Sequence, residues 1–141
     1  MVGDEWDPLR PVGGHAMAGQ VVHFEVPADD VERARKFYTD AFGWQMTPLP
    51  EMSYTMVQTG PTDQSGMPGE VGMINGGMMA RGGPANAPVI TIQVDDIDQA
   101  LQTVERLGGK TAAARMAVGD MGFAAYFIDP EGNTMGLWQS A

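Results

Sequence analysis

Hydrophobic and polar residues alternate at the start of the patterned part of the chain, residues 20–26. A period of two predicts a strand with one apolar face. His23 and Glu25 share the opposite face, so two groups capable of acid–base chemistry project from one side. The apolar face carries Val22, Phe24 and Val26, and the other face carries Val21, His23 and Glu25.

The spacing of apolar residues changes to that of a helix after Asp30, which is a good N-cap. The apolar residues Val31, Ala34, Phe37, Tyr38, Ala41 and Phe42 follow helical spacing, and Gly43 is a plausible stop. Phe37 and Tyr38 are expected in the core. Three short strands are predicted next, over residues 44–46, 54–58 and about 71–74, separated by Gly, Pro, Ser and Asp.

The same pattern starts again after residues 82–88, which are rich in Gly and Pro and indicate a linker. Residues 89–94 alternate like a strand, and Asp95 or Asp96 caps a helix from Ile97 that ends at Gly108-Gly109. Strands are predicted near 111–114, 122–128 and 134–139, with a tight turn over 129–133 between the last two.

These two halves indicate an internal repeat with an offset of 66 residues, at which Ala34 meets Ala100 and Gly43 meets Gly109. Each half reads as a βαβββ module. The predicted fold is therefore α+β, in one domain of two modules. Its divisions are an N-terminal arm at 1–18, module 1 at 19–81, the linker at 82–88 and module 2 at 89–141.

Strand parity suggests where a site would form. If the apolar faces of the first strands pack on the helices, His23 and Glu25 face away from helix 1, and Thr91 and Gln93 face away from helix 2. Matching polar faces from two modules would line one concavity, which is a candidate binding site. The alternative is that both faces are simply solvated.

Several motifs resemble the vicinal oxygen chelate superfamily, which includes glyoxalase I, bleomycin- and fosfomycin-resistance proteins and extradiol dioxygenases. The resemblance covers residues 20–139. It implies a U-shaped mixed sheet with one helix on each half, and a homodimer. The residues that carry it are the strand at 21–27, Phe37-Tyr38, Phe42-Gly43-Trp44, Gly108-Gly109-Lys110, the Asp129–Asn133 turn and the closing Gly136-Leu137-Trp138-Gln139.

Metal-dependent members of that superfamily hold a divalent ion through His, Glu or Gln on the first and last strands of each module. Here His23 or Val21 matches the first ligand, Val89 or Thr91 the second, and Gly136 stands where a metal-binding Glu is usual. A stable site needs about three protein ligands. No metal or other cofactor is therefore expected, with a nonstandard cluster of His23, Glu25 and Glu70 as the alternative.

Composition narrows the classes of partner. The 141 residues carry 8 basic and 18 acidic side chains, a net charge of −10, and no Cys. This excludes thiolate zinc sites and argues against nucleic acid, which needs clustered Lys and Arg. Without an apolar stretch of about 18 residues or a signal peptide, the expectation is a cytoplasmic protein with no membrane contact. The acidity favours a cationic ligand.

Two further features bear on the candidate site. Met73 lies in a glycine-rich run, residues 66–83, which reads as a flexible hairpin or as a mobile wall over the concavity. Trp138 shares parity with Gly136, so it either stacks on a flat or cationic ligand or packs at a seam. The predicted ligand-binding residues are His23, Glu25, Met73, Thr91, Gln93 and Trp138.

Three functions remain open from the sequence. The first is a small-molecule binding protein without the metal of its relatives. The second is a metal-dependent lyase, isomerase or dioxygenase with a nonstandard site near His23. The third is a metal-free enzyme in which His23 and Glu25 are the catalytic acid–base pair.

Overall fold

The structure is a computed structural model, and it describes residues 19–64 and 67–141. The predicted N-terminal arm at 1–18 lies outside the described residues. Within them the element order is strand, helix and three strands, occurring twice. The first set is β1 (Val21–Ala28), α1 (Val31–Phe42), β2 (Gln45–Leu49), β3 (Tyr54–Gln58) and β4 (Gly76–Ala80), with a 3-10 turn at Pro50–Met52. The second set is β5 (Val89–Gln93), α2 (Ile97–Arg106), β6 (Lys110–Val118), β7 (Gly122–Ile128) and β8 (Thr134–Ser140).

Both helices begin at an aspartate cap. The Asp30 side chain accepts a hydrogen bond from the Arg33 backbone N–H at 3.0 Å, and Asp96 accepts one from the Gln99 backbone N–H at 3.1 Å. Each bond satisfies a backbone donor that has no partner inside the helix. Of the two residues predicted to cap α2, the structure therefore selects Asp96. Helix α1 ends at Gly43, whose φ of 74° is the left-handed conformation that glycine adopts readily.

All eight strands form one mixed sheet in the order β2-β3-β4-β1-β5-β8-β7-β6. Strands β1 and β4 pair in parallel, as do β5 and β8, and the antiparallel pair β1–β5 joins the two halves. Strands β2 and β6 are the edges, so the sheet is open. Helix α1 packs on the first half and α2 on the second. The predicted α+β class, with a mixed sheet and one helix on each half, is confirmed.

The main apolar core lies under α2. Ile97 and Leu101 of the helix pack against buried residues of β7 and β8, namely Ala125, Phe127 and Leu137. Helix α1 differs, because none of its residues is buried. Phe37 is 58% exposed, so its predicted place in the core is wrong, and Tyr38 is only half-buried. The aromatic side chains of α1 instead pack on one another and on Trp44, which stacks on Tyr38 with ring centroids 4.9 Å apart.

The strand predicted over residues 71–74 is also wrong, because the fourth strand begins later, at Gly76. Residues 71–74 are a turn and irregular chain, with Gly72 at a φ of 87°. Buried Asn75 holds this segment to the end of β3. Its Oδ1 accepts from the Thr59 backbone N–H at 3.0 Å, and its Nδ2 donates to Thr62 Oγ1 at 3.1 Å. Hydrogen bonds from the Asn75 side chain therefore hold this segment in place of the backbone hydrogen bonds of the predicted strand.

The predicted turn over residues 129–133 is present. The Asp129 backbone N–H donates to the Asn133 carbonyl at 2.9 Å, and the Asp129 carboxylate accepts from the backbone N–H groups of Glu131 and Asn133. The turn joins β7 to β8 and fixes their register. In the part of the chain that the structure describes, no helix is long and apolar enough to cross a membrane.

Removing core volume under α2 should destabilise the protein strongly. We expect Ile97→Ala to lower the free energy of unfolding by about 2–5 kcal/mol, because Ile97 is fully buried and its loss leaves a cavity. Ile90→Ala is the matched control, since Ile90 is 48% exposed. Urea denaturation of both variants measures the difference, and equal losses would contradict the assignment of the core.

Candidate functional site

A group of four polar side chains, here called the Glu25 cluster, lies on the sheet face opposite α1. Its members are His23 and Glu25 from β1, Tyr54 from β3 and Tyr126 from β7. Glu25 is at the centre and is only 8% exposed, which makes it the one buried carboxylate among residues 19–64 and 67–141. A buried carboxylate needs strong hydrogen-bond partners, and the cluster supplies them.

Both oxygens of Glu25 accept a tyrosine hydrogen bond. Tyr54 Oη donates to Oε2 at 2.9 Å, and Tyr126 Oη donates to Oε1 at 2.5 Å. His23 Nε2 lies 2.8 Å from the Tyr54 oxygen. The phenol of Tyr54 has one hydrogen, which goes to Glu25, so its oxygen accepts from His23. This assigns the hydrogen of His23 to Nε2 and leaves Nδ1 as an acceptor.

Gly77 makes the contact between Tyr54 and Glu25 sterically feasible. Gly77 is the register partner of Glu25 on β4, the strand that separates β1 from β3. A β-carbon at this position would overlap the hydroxyl of Tyr54. The missing side chain therefore opens a path over β4 along which the tyrosine reaches Glu25.

The contact between Glu25 and Tyr126 requires a curved sheet. Two strands, β5 and β8, lie between β1 and β7. In a flat sheet, β1 and β7 would be about 14 Å apart, three times the usual strand spacing. A direct hydrogen bond between side chains of these strands means that the sheet bends toward the face that carries the cluster. The bond also ties the first half of the chain to the second.

Burial shifts the protonation equilibria of the cluster. It lowers the pKa of His23 below its ordinary value of 6.5, because an imidazolium loses solvation there, although the negative charge of Glu25 opposes this. It raises the pKa of Tyr54 and of Tyr126 well above 10.0, and the neighbouring Glu25 charge adds to both effects. At neutral pH the imidazole of His23 and the phenols of Tyr54 and Tyr126 are therefore neutral.

The remaining predicted ligand-binding residues occupy different places. Thr91 is the register partner of both His23 and Gly136, and it is 6% exposed. A β-carbon at Gly136 would stand 2.8 Å from Thr91 Oγ1, so Thr91 fills this part of the face. Gln93 and Trp138 are register partners and half-buried, next to the cluster along β5 and β8.

Met73 is not brought to the cluster. Its sulfur packs on Gly60, in the loop that follows β3. The centre of the sheet face is filled by Glu25, Thr91 and Val89, all buried, so the side chains that remain reachable lie around it. These are the half-buried His23, Gln93, Tyr126 and Trp138.

The described residues do not fit a metal ion of the kind that the resemblance implies. No group of three or more His, Asp or Glu among residues 19–64 and 67–141 is placed to hold one. Glu70 is exposed in the loop before β4 and does not join His23 and Glu25. Gly136 offers no ligand atom, and the buried side chain of Val89 is apolar.

Tyr54 and Tyr126 are site residues that sequence reasoning missed. The available signal was parity combined with missing side chains. Tyr126 is the register partner of Gly136. Tyr54 occupies the space that a side chain at position 77 would fill. A tyrosine opposite a glycine on a polar strand face has room to cross the neighbouring strand. Because Gly77 fell outside the predicted strand, that pairing was not available from the sequence.

Most of the acidic charge lies away from the cluster, on the surface. Several surface carboxylates form exposed ion pairs, among them Asp29 with Arg81, Asp40 with Lys36, and Asp98 with Arg115. Such pairs contribute little to stability. The charge that bears on the site is therefore the single carboxylate of Glu25.

The relatives found by sequence comparison are all named as bleomycin-resistance-like or glyoxylase-like proteins. Residues 20–60 match the family model described as bleomycin resistance protein-like N-terminal. A glyoxylase-like domain-containing protein of Didymella fabae is 33% identical over 125 residues, covering 82% of this chain and 90% of the relative. A Mycobacterium bovis protein named provisionally as the glyoxylase CFP32 is 29% identical over 130 residues. There the chain spans 44% of the relative's length.

Solved structures with this fold include enzymes of different activities. A methylmalonyl-CoA epimerase from Streptomyces coelicolor superposes with a TM-score of 0.61 at 15% identity, covering 88% of this chain and 99% of that one. A glyoxalase/bleomycin resistance protein/dioxygenase superfamily member from Vibrio splendidus gives a TM-score of 0.56 at 14% identity, covering 88% and 100%. At these identities the likeness establishes the fold alone.

Removing either cluster hydroxyl should destabilise the protein. We expect Tyr54→Phe and Tyr126→Phe each to lower the free energy of unfolding by about 1–3 kcal/mol, because each deprives buried Glu25 of a donor. Tyr38→Phe is the control, since the Tyr38 hydroxyl has no hydrogen-bond partner within the described part of the chain. Urea denaturation provides the comparison, and a Tyr38→Phe loss as large as the other two would refute the network.

The raised pKa values of Tyr54 and Tyr126 predict an alkaline limit to stability. Each phenol is harder to ionise in the folded protein than in the unfolded chain. Its contribution to the free energy of unfolding is therefore present below pH 10.0 and is lost as the pH rises further. In a near-ultraviolet absorbance titration, two of the three tyrosines should ionise only when the chain unfolds. Full ionisation at pH 10 to 11 with the fold retained would be the opposite result.

Proposed function

The chain belongs to the glyoxalase and bleomycin-resistance (vicinal oxygen chelate) superfamily, and from this premise we propose that it binds a small organic cation beside the Glu25 cluster, without a metal ion. The observation that carries the proposal is the buried Glu25 carboxylate, fixed through both oxygens by two tyrosines. Such a group is oriented before any ligand arrives, so little ordering is lost on binding.

The direction of the hydrogen bonds determines the chemistry of the ligand. The hydrogens of Tyr54 and Tyr126 point to Glu25, and that of His23 Nε2 points to Tyr54. Among the reachable atoms of the cluster, those left for a ligand are acceptors, namely His23 Nδ1 and the remaining lone pair of the Tyr126 oxygen. A ligand must therefore donate hydrogen bonds, and the negative charge of the cluster favours an ammonium or similar cation.

The half-buried side chains at the edge of the cluster supply the rest of the site. Trp138 offers an aromatic face, which attracts a cation or stacks on a ring. Gln93, its register partner, carries an amide that both donates and accepts. We therefore expect an aromatic or other planar group on the cation. Thr91 lies too deep to be a first contact and supports the face from below.

The test is binding of benzylammonium, followed by NMR of the 15N-labelled protein in the presence of a chelator. We expect saturable shifts at His23, Gln93 and Trp138. Glu25→Gln should weaken binding by about tenfold or more, because it removes the negative charge beneath the site that attracts the ammonium. Benzoate, which has the same ring and the opposite charge, should not bind there.

The matched control is Glu32→Gln, which removes one negative charge from the exposed surface of α1. Both variants have the same net charge, so a difference between them reports the cluster and not the overall field. Equal weakening in the two variants, or shifts confined to other parts of the chain, would refute a cation site beside Glu25.

A second candidate function is metal-free proton transfer by His23. It is favoured by the neutral imidazole, whose Nε2–H is committed to Tyr54 while Nδ1 has no partner in the described residues. Every fully buried side-chain nitrogen or oxygen of the described residues has a hydrogen-bond partner. Because Nδ1 has none, it is not fully buried and is open to solvent or to a ligand. A proton taken from carbon by Nδ1 would make an imidazolium stabilised by the Tyr54–Glu25 chain.

Deuterium exchange tests this second candidate. With dihydroxyacetone as the probe in heavy water, Nδ1 would take a C–H proton, and the enediolate would regain deuterium from solvent. Activity predicts loss of the C–H signal in proton NMR, and His23→Gln should abolish it while the fold is retained. Exchange no faster than in buffer would leave binding alone as the function supported.

The state of His23 can be measured directly. Its lowered pKa predicts a neutral ring with the hydrogen on Nε2 at pH 6.5, where half of an exposed histidine is protonated. Imidazole nitrogen shifts report both tautomer and charge, and His23→Gln identifies which of the two histidines is seen. Because the folded pKa is lowered, the stability that His23 contributes is present above pH 6.5 and decreases as the pH falls below it.

A further inference from the structure

A groove on the other side of the sheet lies between α1 and strands β2, β3 and β4. Its volume is about 360 Å³, within the range that holds small ligands. Its lining is mostly apolar and includes Val31 of the helix together with Leu49 and Met78 of the strands. The proposed cation site lies on the opposite face of the sheet and does not include this groove.

One cation lies in this apolar groove without an acidic partner. Arg35 of α1 is half-buried, and its guanidinium donates to Thr55 Oγ1 at 3.2 Å. Thr55 is 2% exposed, so the bond anchors the arginine to the floor of the groove. No carboxylate among residues 19–64 and 67–141 pairs with Arg35, although Lys36 and Arg81, nearby in the fold, both have one.

An unpaired guanidinium in an apolar groove is a recognition element for an anion. Arginine has five N–H donors in a planar fork, and one of these is used by Thr55. The remaining donors fit a carboxylate, which arginine binds through two parallel bonds. Arg33, Arg106 and Lys110 also form no ion pair within residues 19–64 and 67–141, but they are exposed to water, whereas Arg35 is half-buried beside apolar walls. This half-burial is what points to a local partner of opposite charge.

We propose that this groove binds an amphipathic carboxylate, with its carboxylate on Arg35 and its alkyl chain along Val31 and Leu49, above the buried side chain of Met78. The ligand is a monocarboxylate with a hydrocarbon tail, the reverse in charge of the cation proposed for the Glu25 cluster.

The two sites are on opposite faces of the same strands. On β4, Met78 pairs with Val26 and Thr55 and faces the groove, whereas Gly77 pairs with Glu25 and faces the cluster. Tyr54 is shared, because it lines the groove while its hydroxyl donates to Glu25. Tyr54 therefore belongs to the surroundings of both sites.

Octanoate is the probe, added to the 15N-labelled full chain and followed by amide shifts. We expect saturable shifts at Thr55, Met78 and Ala80, with much smaller effects at Thr91 and Trp138. Octan-1-ol has the same tail and no charge, so it should bind about tenfold or more weakly. Absence of saturable shifts at the groove, or equal binding of octanol, would overturn the proposal.

Arg35→Gln should weaken octanoate binding by about tenfold or more, because the charged donor is lost. The control is Arg33→Gln, which removes the same charge from an exposed position on the same helix, outside the groove. Arg35→Lys keeps the positive charge but loses the parallel N–H donors of the guanidinium. This variant replaces Arg35→Gln in the test if the Gln variant fails to fold. Octanoate affinity that is unchanged in both Arg35 variants would refute the assignment, as would an equal loss in Arg33→Gln.

Discussion

The buried carboxylate of Glu25 is the constraint on which the rest of the candidate site depends. It is nearly inaccessible and forms no ion pair within the described residues, so its burial is tolerable only because two phenols donate to it. One phenol comes from each half of the chain. Satisfying this one group therefore draws both halves of the sheet toward a common face and orients His23 through Tyr54.

Glycine has a positive role in this arrangement. Gly77 and Gly136 occupy corresponding places on β4 and β8. Each pairs with a residue of the first strand of its half, β1 or β5. At Gly77 the free space admits the Tyr54 hydroxyl, and at Gly136 it admits Thr91. At Gly136, where the resemblance leads one to expect a metal-ligating Glu, the chain has space that the side chain of Thr91 fills. The site is thereby built from hydrogen bonds around one internal carboxylate.

The two halves of the molecule are unequal in packing. Helix α2 buries Ile97 and Leu101 in a compact core, whereas α1 buries none of its residues and keeps Phe37 exposed. Shallow packing of α1 leaves the groove that holds Arg35. The sheet thus presents two faces of opposite character under the first half of the chain. One is organised around a buried anion, and the other around an unpaired cation among apolar residues.

The sequence by itself determined both helices, their aspartate caps, most strands, the Asp129 turn and the α+β class, because these follow from local periodicity and capping chemistry. It also placed His23, Glu25 and Thr91 on one face through strand parity. The tertiary structure alone decided that Tyr54 and Tyr126 complete the cluster, since they reach Glu25 across intervening strands. It likewise decided that Phe37 is exposed and that β4 begins at Gly76. Those outcomes depend on sheet curvature and on side chains far apart in the chain, which local patterns do not encode.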